Sequence, residues 1–471
     1  MKKAIRCIAF LLILFFVIIR AYDILSWKDT SEAYLSSTKQ LYSTEDDLMD
    51  VVFLGSSHCY CGISPDVLWG NYGISAFNMT TSGQDKISTY YLLKETLKTQ
   101  SPDVVCVELW GLTFDEHGVQ GNVYRNMLAM ELSQNAVDLV KAYVDEEEWK
   151  NYLLRWPIIH TRYKELDKYD FVQMEYSEFG RGLPMTYHIG KSSFPAEEAA
   201  CEEIGELTDT NREWLDNLYQ LSLEEDFELV LFLTPTALDG LENQMQVNAT
   251  ELYAEENGIT FINFNDLVNE IQIDYSRDFI DTTHLNGRGA AKITDYLGTY
   301  MDEHFSLIDH RGEDAYYQWE QSYTYYKRTL DANILQESAT LDEYIARLKK
   351  MDDITYIFSF EGTYDESTLN LKRAAKAFGL TDEQYETGGT FICIDGELEF
   401  VMDNKSEEVA IYEMNGADAF KIQNMELVDS AATNLDDIML NLESVGSAHN
   451  GLCIVVYDNV KETVIDKRGY Y

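Results

Sequence analysis

The sequence predicts an α/β fold built on a parallel sheet, an α/β sandwich, followed by a second domain. Three observations carry this. Short β-branched and aromatic runs alternate with stretches of helical spacing, the pattern of parallel βαβ units. The first run, Asp50-Val51-Val52-Phe53-Leu54, breaks abruptly into Gly55-Ser56-Ser57-His58, a buried strand ending in a tight turn. At 471 residues the chain is also longer than one hydrophobic core usually serves.

The composition narrows the class. Apolar residues make up 45% and aromatic residues 13%, which argues for packed cores over extensive disorder. A formal charge of −46 excludes non-specific nucleic-acid binding, and it disfavours docking on an anionic surface unless cations or a local basic patch intervene. Seven cysteines form no framework. Cys59 and Cys61 have only His58 as a nearby histidine and read as small packing groups, so no metal and no cofactor is expected.

Residues 1–27 open with Lys2, Lys3 and Arg6 ahead of an apolar run, Cys7–Ile19, of about 13 residues. That is shorter than the ~20 of a standard spanning helix. Arg20 can snorkel, and Ala21–Trp27 extends the reach. Without a small-x-small site or a lipobox cysteine, the segment reads as an uncleaved signal anchor, a cleavable signal peptide being the alternative. The basic end would stay in the cytoplasm and place the rest outside. Residues 28–47 are polar, a stalk or a first helix.

Further elements follow in order. Ala76–Thr80 is a strand ending at Thr81-Ser82-Gly83-Gln84, and Lys86–Leu97 has helical spacing. Asp103–Leu109 is a buried strand leading into Trp110-Gly111, and Leu229–Leu233 and Thr260–Phe264 are two more. Between them Thr113–Phe227 is a long insertion rich in aromatic residues, helical over Tyr124–Tyr143 and continuing through Trp149, Tyr152, Trp156, Tyr163 and Tyr169. It is either a roof over the sheet's carboxyl edge, with aromatics for stacking on sugar rings, or a satellite core. His117, His160 and His188 within it read as ordinary histidines. Asn286 is an N-cap for a helix running to about His304.

The chemistry lies at two places. Ser57 is presented at the carboxyl end of the first strand, where ligands bind in open α/β sheets. Asp281-Thr282-Thr283-His284 places an acid and a base on one turn. Serine needs a base to take its proton, and the base needs an acid to fix its tautomer. Ser56 is a rival nucleophile and His58 a rival base, though a residue next to the nucleophile usually points away. The competing reading is that Gly55-Ser56-Ser57 is only a helix cap and Asp281–His284 only a loop-to-helix turn.

Gly-x-Ser after the first strand and Asp-x-x-His before the last helix resemble the SGNH (GDSL-like) hydrolase superfamily. Within it the chain is similar to membrane-anchored acyl-transfer branches, the D-alanylation and alginate-acetylation proteins. The match covers about residues 48–308, within a hydrolase-like domain read as 48–311. The resemblance implies Ser57 as nucleophile, His284 as general base, Asp281 as its orienting acid, and the backbone N–H groups of Ser57 and Gly83 as the oxyanion hole. It departs at the third block, usually Gly-x-Asn-Asp, because the strand Asp103–Leu109 is followed by Trp110 and no asparagine. Losing one oxyanion donor can cost roughly 100- to 1,000-fold in rate. The branch further implies an O-acetyltransferase or O-acetylesterase acting on a cell-envelope polysaccharide or other acylated glycan, supplied by a membrane O-acyltransferase partner. The alternative is a non-catalytic, membrane-anchored glycan-binding protein with a degenerate site.

A boundary is expected near His310-Arg311-Gly312, followed by a helical linker over 312–352 with Tyr316, Tyr317, Trp319 and Tyr323. Residues 353–471 then read as an α+β or β-sandwich domain. Its strands are Ile354–Phe360, Thr390–Ile394, Glu408–Tyr412 and Leu452–Tyr457, with an amphipathic helix Leu369–Phe378. Phe360–Asp365 and Gly451–Asp458, with Glu462–Asp466 after, are similar in permuted order to the interleukin-like EMT-inducer (ILEI/PANDER-like) domain. That implies a carbohydrate-binding module, with a structural or dimerising role as the alternative.

Overall fold

The computed structural model describes residues 2–26, 33–113, 120–166, 169–171, 179–190, 202–236, 241–361, 371–394, 396–403, 409–413, 419–425, 435–440, 443–448 and 451–470. The chain divides into two compact units, Met1–Tyr326 and Lys327–Tyr471.

The first unit is built on a five-stranded, all-parallel sheet of order β2-β1-β3-β4-β5. Its strands are β1 (Val51–Leu54), β2 (Ala76–Asn78), β3 (Val104–Glu108), β4 (Glu228–Leu233) and β5 (Thr260–Asn263). These strands are near-continuous apolar runs because both faces of the sheet are covered. Val52, Leu54, Val105, Val107 and Leu231 point into one core, with Leu92 and Leu218 from helices Lys86–Thr96 and Asp209–Glu225. Val51, Phe53, Val104, Cys106, Val230 and Phe232 point into the other, against helices Pro65–Tyr72 and Gly287–His304. The result is three layers, helix, sheet and helix. The chain leaves β1 for β2 on one side and returns to β3 on the other. That reversal opens a crevice at the carboxyl ends of β1 and β3.

Two expected connectors are instead part of this unit. In the 28–47 segment the described helix Ala33–Ser43 is not a stalk. Leu41 enters the core, Ser37 donates to Thr80 O (3.0 Å), and Gln40 Nε2 reaches Gly182 O (3.2 Å). Of the two readings of this segment it is the first helix, and its polar residues satisfy loop carbonyls, not water. The boundary expected near residues 310–312 falls at Tyr326/Lys327, within helix Tyr317–Gln336. Tyr316 and Trp319 belong to the first core, and the Trp319 indole donates to Ala76 O at 2.8 Å. Helical spacing shows that a face is apolar but not which core receives it.

In the second unit two antiparallel sheets stack, of order β14-β13-β6-β7-β8 and β12-β11-β10-β9. The strands are β6 (Ile354–Glu361), β7 (Gly389–Ile394), β8 (Glu397–Met402), β9 (Val409–Glu413), β10 (Ala419–Met425), β11 (Leu435–Leu440), β12 (Glu443–Ala448), β13 (Gly451–Asp458) and β14 (Thr463–Tyr470). Alternation decides the layering. Tyr356, Phe358, Ile454 and Val456 face helices Leu341–Leu348 and Leu371–Phe378. Ile357 and Val455 face Phe420 and Ile422 of the second sheet. Buried Asp458 anchors the unit by accepting both Oδ contacts of Arg328 Nε at 2.8 Å. Residues 362–365 of the Phe360–Asp365 phrase, and 369–370 of the Leu369–Phe378 helix, lie outside the described residues.

At the amino end, Lys2–Leu25 is one continuous helix. Its Ile5–Leu25 portion is long and apolar enough to cross a membrane, as an anchor or a signal sequence would be.

Candidate active site

The site forms where β1 ends. Gly55 has φ of +147°, and a Cβ there would lie 2.7 Å from Glu108 Cβ, so only glycine lets β1 and β3 approach this closely. Its N–H donates to Gln84 Oε1 (2.9 Å), and Gln84 Nε2 donates to Met79 O (3.2 Å). One buried amide thus ties the β1 turn to the loop after β2. Ser56 caps helix Ser57–Gly62, its hydroxyl accepting from His58 N at 3.3 Å. Ser57 begins the helix and faces the crevice.

The second half comes from a hairpin-like turn. Phe279 bridges Leu285, and Ile280 N donates to His284 O (2.9 Å). Asp281 closes the turn on itself, with Oδ1 accepting from Thr283 N and His284 N, each at 2.8 Å. Immediately after, Asn286 caps helix Gly287–His304 through Arg288 N and anchors itself on Arg277 O (2.7 Å). The imidazole is therefore held between two fixed points.

These halves meet across the crevice. Ser57 Oγ lies 2.7 Å from His284 Nε2, and His284 Nδ1 lies 3.0 Å from Asp281 Oδ2. Burial acts to raise the Asp281 pKa, but the Thr283 and His284 amides and the imidazole hold it below the ordinary carboxylate value. An ionised acid on Nδ1 leaves Nε2 free to accept the serine proton. Ser56 does not reach His284; it is fully buried and turned the other way.

Beside this triad lies a second, buried set that the sequence reading did not assemble. His58 Nδ1 is 3.3 Å from Ser56 Oγ, which is 3.5 Å from Glu108 Oε2. The His58 ring is sandwiched, with Trp110 on one face at 3.9 Å between centroids and His284 on the other at 4.4 Å. Burial, then the charge of His284, pushes the His58 pKa well down, so this ring stays neutral. Burial pushes Glu108 up to about 8. Trp110, which follows β3, thus backs a stack of imidazoles. The available signal was Glu108 itself, a charged residue closing an otherwise apolar strand.

A cavity of about 450 Å3 opens over Ser57 and His284, walled by Tyr60, Cys61, Leu183 and Met185. Gly83 adopts φ of +58° in the loop after β2, next to Ser82, which lines the cavity; Gly83 itself does not. The wall segment 179–190 is stapled by Gly287 N to Thr186 O (2.7 Å) and by Arg288 to Tyr187 O (2.7 Å). Among the described residues, no aromatic side chain of the insertion lines this cavity. Trp149 and Tyr152 pack instead on the first core, and Trp156 lies against Tyr22. His160 and His188 are exposed, and His117 lies outside the described residues. No cluster of His, Cys, Asp and Glu able to hold a metal occurs among the described residues. Cys59 is buried in the core, whereas Cys61 reaches the cavity. Comparison with models of known families and with curated proteins finds no match to the chain.

Proposed function

We propose that the chain is a serine acyl-transfer enzyme of SGNH type, working outside the membrane on an acylated cell-envelope glycan. The observation that carries this is the unbroken sequence of contacts from Ser57 Oγ through His284 to Asp281, 2.7 Å and 3.0 Å, opening into a cavity.

Chemically, Ser57 Oγ attacks the ester carbonyl as its proton passes to His284 Nε2, giving a tetrahedral oxyanion. The N–H groups of Ser57 and Gly83 are the proposed donors to that oxygen. Collapse expels the alcohol, which takes the proton back from His284, and leaves an ester on Ser57. Water or a sugar hydroxyl then repeats the attack in reverse, giving an O-acetylesterase or an O-acetyltransferase. The chain's own groups supply every proton transfer. The basic Lys2, Lys3 and Arg6 ahead of the apolar helix favour an orientation with the site outside. A membrane O-acyltransferase is the proposed acyl donor, and the second unit the proposed glycan-holding module.

The test is hydrolysis of a chromogenic acetyl ester by the protein, beside Ser57→Ala and His284→Ala, with oligosaccharides as competing acceptors. Turnover abolished by both substitutions supports the reading, and an acetylated sugar decides for the transferase. No turnover, with Ser57 inert to a fluorophosphonate, leaves a glycan-binding protein.

A further inference from the structure

The run Trp149–Lys164 stands apart from the rest of the chain. In a protein of net charge −46 it carries Lys150, Arg155, Arg162 and Lys164 and no acid, and it is bounded by Glu148 before and Glu165 after. The same run holds Trp149, Tyr152, Trp156 and Tyr163. Basic residues mixed with amphipathic aromatics are the composition of a membrane interface.

Its place in the fold says which surface it meets. Ile5–Arg20 of the amino-terminal helix is exposed throughout, whereas Ala21–Ser26 is half-buried. These sixteen helical residues span ~24 Å, most of the ~30 Å hydrocarbon core, and Ala21–Leu25 continue the same helix. The half-buried end is clamped to the basic run, with Arg162 Nη1 donating to Leu25 O (2.9 Å) and Tyr22 meeting Trp156 edge-on at 5.8 Å. Arg162 is itself fixed by Asp170 at 2.8 Å. Around that clamp Leu154, Tyr163 and Phe171 are 65%, 63% and 58% exposed, and Lys150 and Lys164 are exposed too. Large apolar side chains left in water beside a spanning helix need a cover, and that helix's own bilayer is continuous with them.

We propose that the run Trp149–Lys164, with Phe171 beside it, is a docking platform for anionic phospholipid headgroups. Leu154, Tyr163 and Phe171 enter the interface, and Lys150 and Lys164 pair with lipid phosphates. The platform rests on the reading of Ile5–Leu25 as membrane-spanning. It supplies the local basic patch that an acidic chain needs to lie on an anionic surface.

The experiment is photo-crosslinking of the full chain in vesicles of phosphatidylcholine and phosphatidylglycerol, with sites mapped by mass spectrometry. One lipid probe carries its diazirine deep in the acyl chain and another near the headgroup. The deep probe is expected in Ile5–Arg20 and the headgroup probe in 149–164 and at Phe171. Lys150→Glu with Lys164→Glu lowers platform labelling about five-fold per lysine, from ~1 kcal/mol per basic residue at an anionic surface, and leaves helix labelling unchanged. Vesicles of phosphatidylcholine alone reproduce that loss. A labelled helix with an unlabelled platform overturns the proposal and assigns the face to a protein partner. An unlabelled helix overturns the anchoring reading, and the platform with it. Platform labelling indifferent to both lipid charge and the lysines also overturns it.

Discussion

Two serine–histidine–acid sets lie side by side at the end of β1, and they differ in burial more than in residue type. Ser57, His284 and Asp281 open to a cavity, with ring and carboxylate partly exposed. Ser56, His58 and Glu108 are 0%, 4% and 1% exposed. In the first set the acid is held ionised by backbone N–H groups; in the second it is pushed towards the neutral form by burial. A base needs an ionised acid behind it and open space for a substrate in front of it. Only the open set has both. The buried set has the contacts of a support, with the neutral His58 ring lying flat on His284 and Trp110 behind it.

The largest expected effect separates the two serines. Ser57→Ala or His284→Ala lowers kcat by about 10⁶-fold, the loss seen when a triad member is removed. Ser56→Ala leaves most of the activity, and equal losses from the two serines would erase the distinction. Next, Asp281→Asn lowers kcat by about 10⁴-fold with KM little changed, because the amide favours the wrong imidazole tautomer. A small loss would assign the orienting role elsewhere, with Thr283 Oγ1, 3.2 Å from His284 Nδ1, the nearest substitute.

A smaller effect probes the support. An aromatic contact of ~0.5–1.5 kcal/mol corresponds to about two- to thirteen-fold in kcat for Trp110→Ala if the stack fixes the His284 ring. Solvent reaching His58 would ease its protonation, and a charged His58 would oppose charge on His284. The loss is then larger at low pH, where His58 is charged, than at high pH, and Trp110→Phe restores the unmodified profile. A change in thermal stability with an unmoved profile would reduce Trp110 to packing.

The smallest effect on activity is Glu108→Gln, and its readout is stability. The Glu108 pKa is raised from its ordinary 4.5 to about 8 in the folded state, so folding takes up a proton between those values. Stability then falls as pH rises through that window, by about 1.4 kcal/mol per pH unit for one proton, and levels off above it. Glu108→Gln removes that slope in Tm against pH. An unchanged slope would show Glu108 ionised and the support set misread.

The sheet strands were legible because strands covered on both faces must be apolar throughout, as Val51–Leu54 and Val104–Val107 are. The open set was legible because Gly55-x-Ser57 and Asp281-x-x-His284 are local spacings. The buried set was not, since it joins a turn after β1 to the end of β3, and no local pattern reports that stack. The polarity of Ala33–Ser43 leaves a stalk and a first helix as equal readings, and in β8, β10, β11 and β12 charged or polar residues break up the apolar runs that mark a strand. The 314–326 aromatics read equally well as a linker and as part of the first core, because periodicity gives no address.

The most direct measurement is covalent labelling by a fluorophosphonate, with the modified residue located by mass spectrometry in the unmodified chain, Ser56→Ala and His284→Ala. The account predicts a single adduct on Ser57, retained in Ser56→Ala and lost in His284→Ala. An adduct on Ser56, or a Ser57 adduct indifferent to His284, would contradict it.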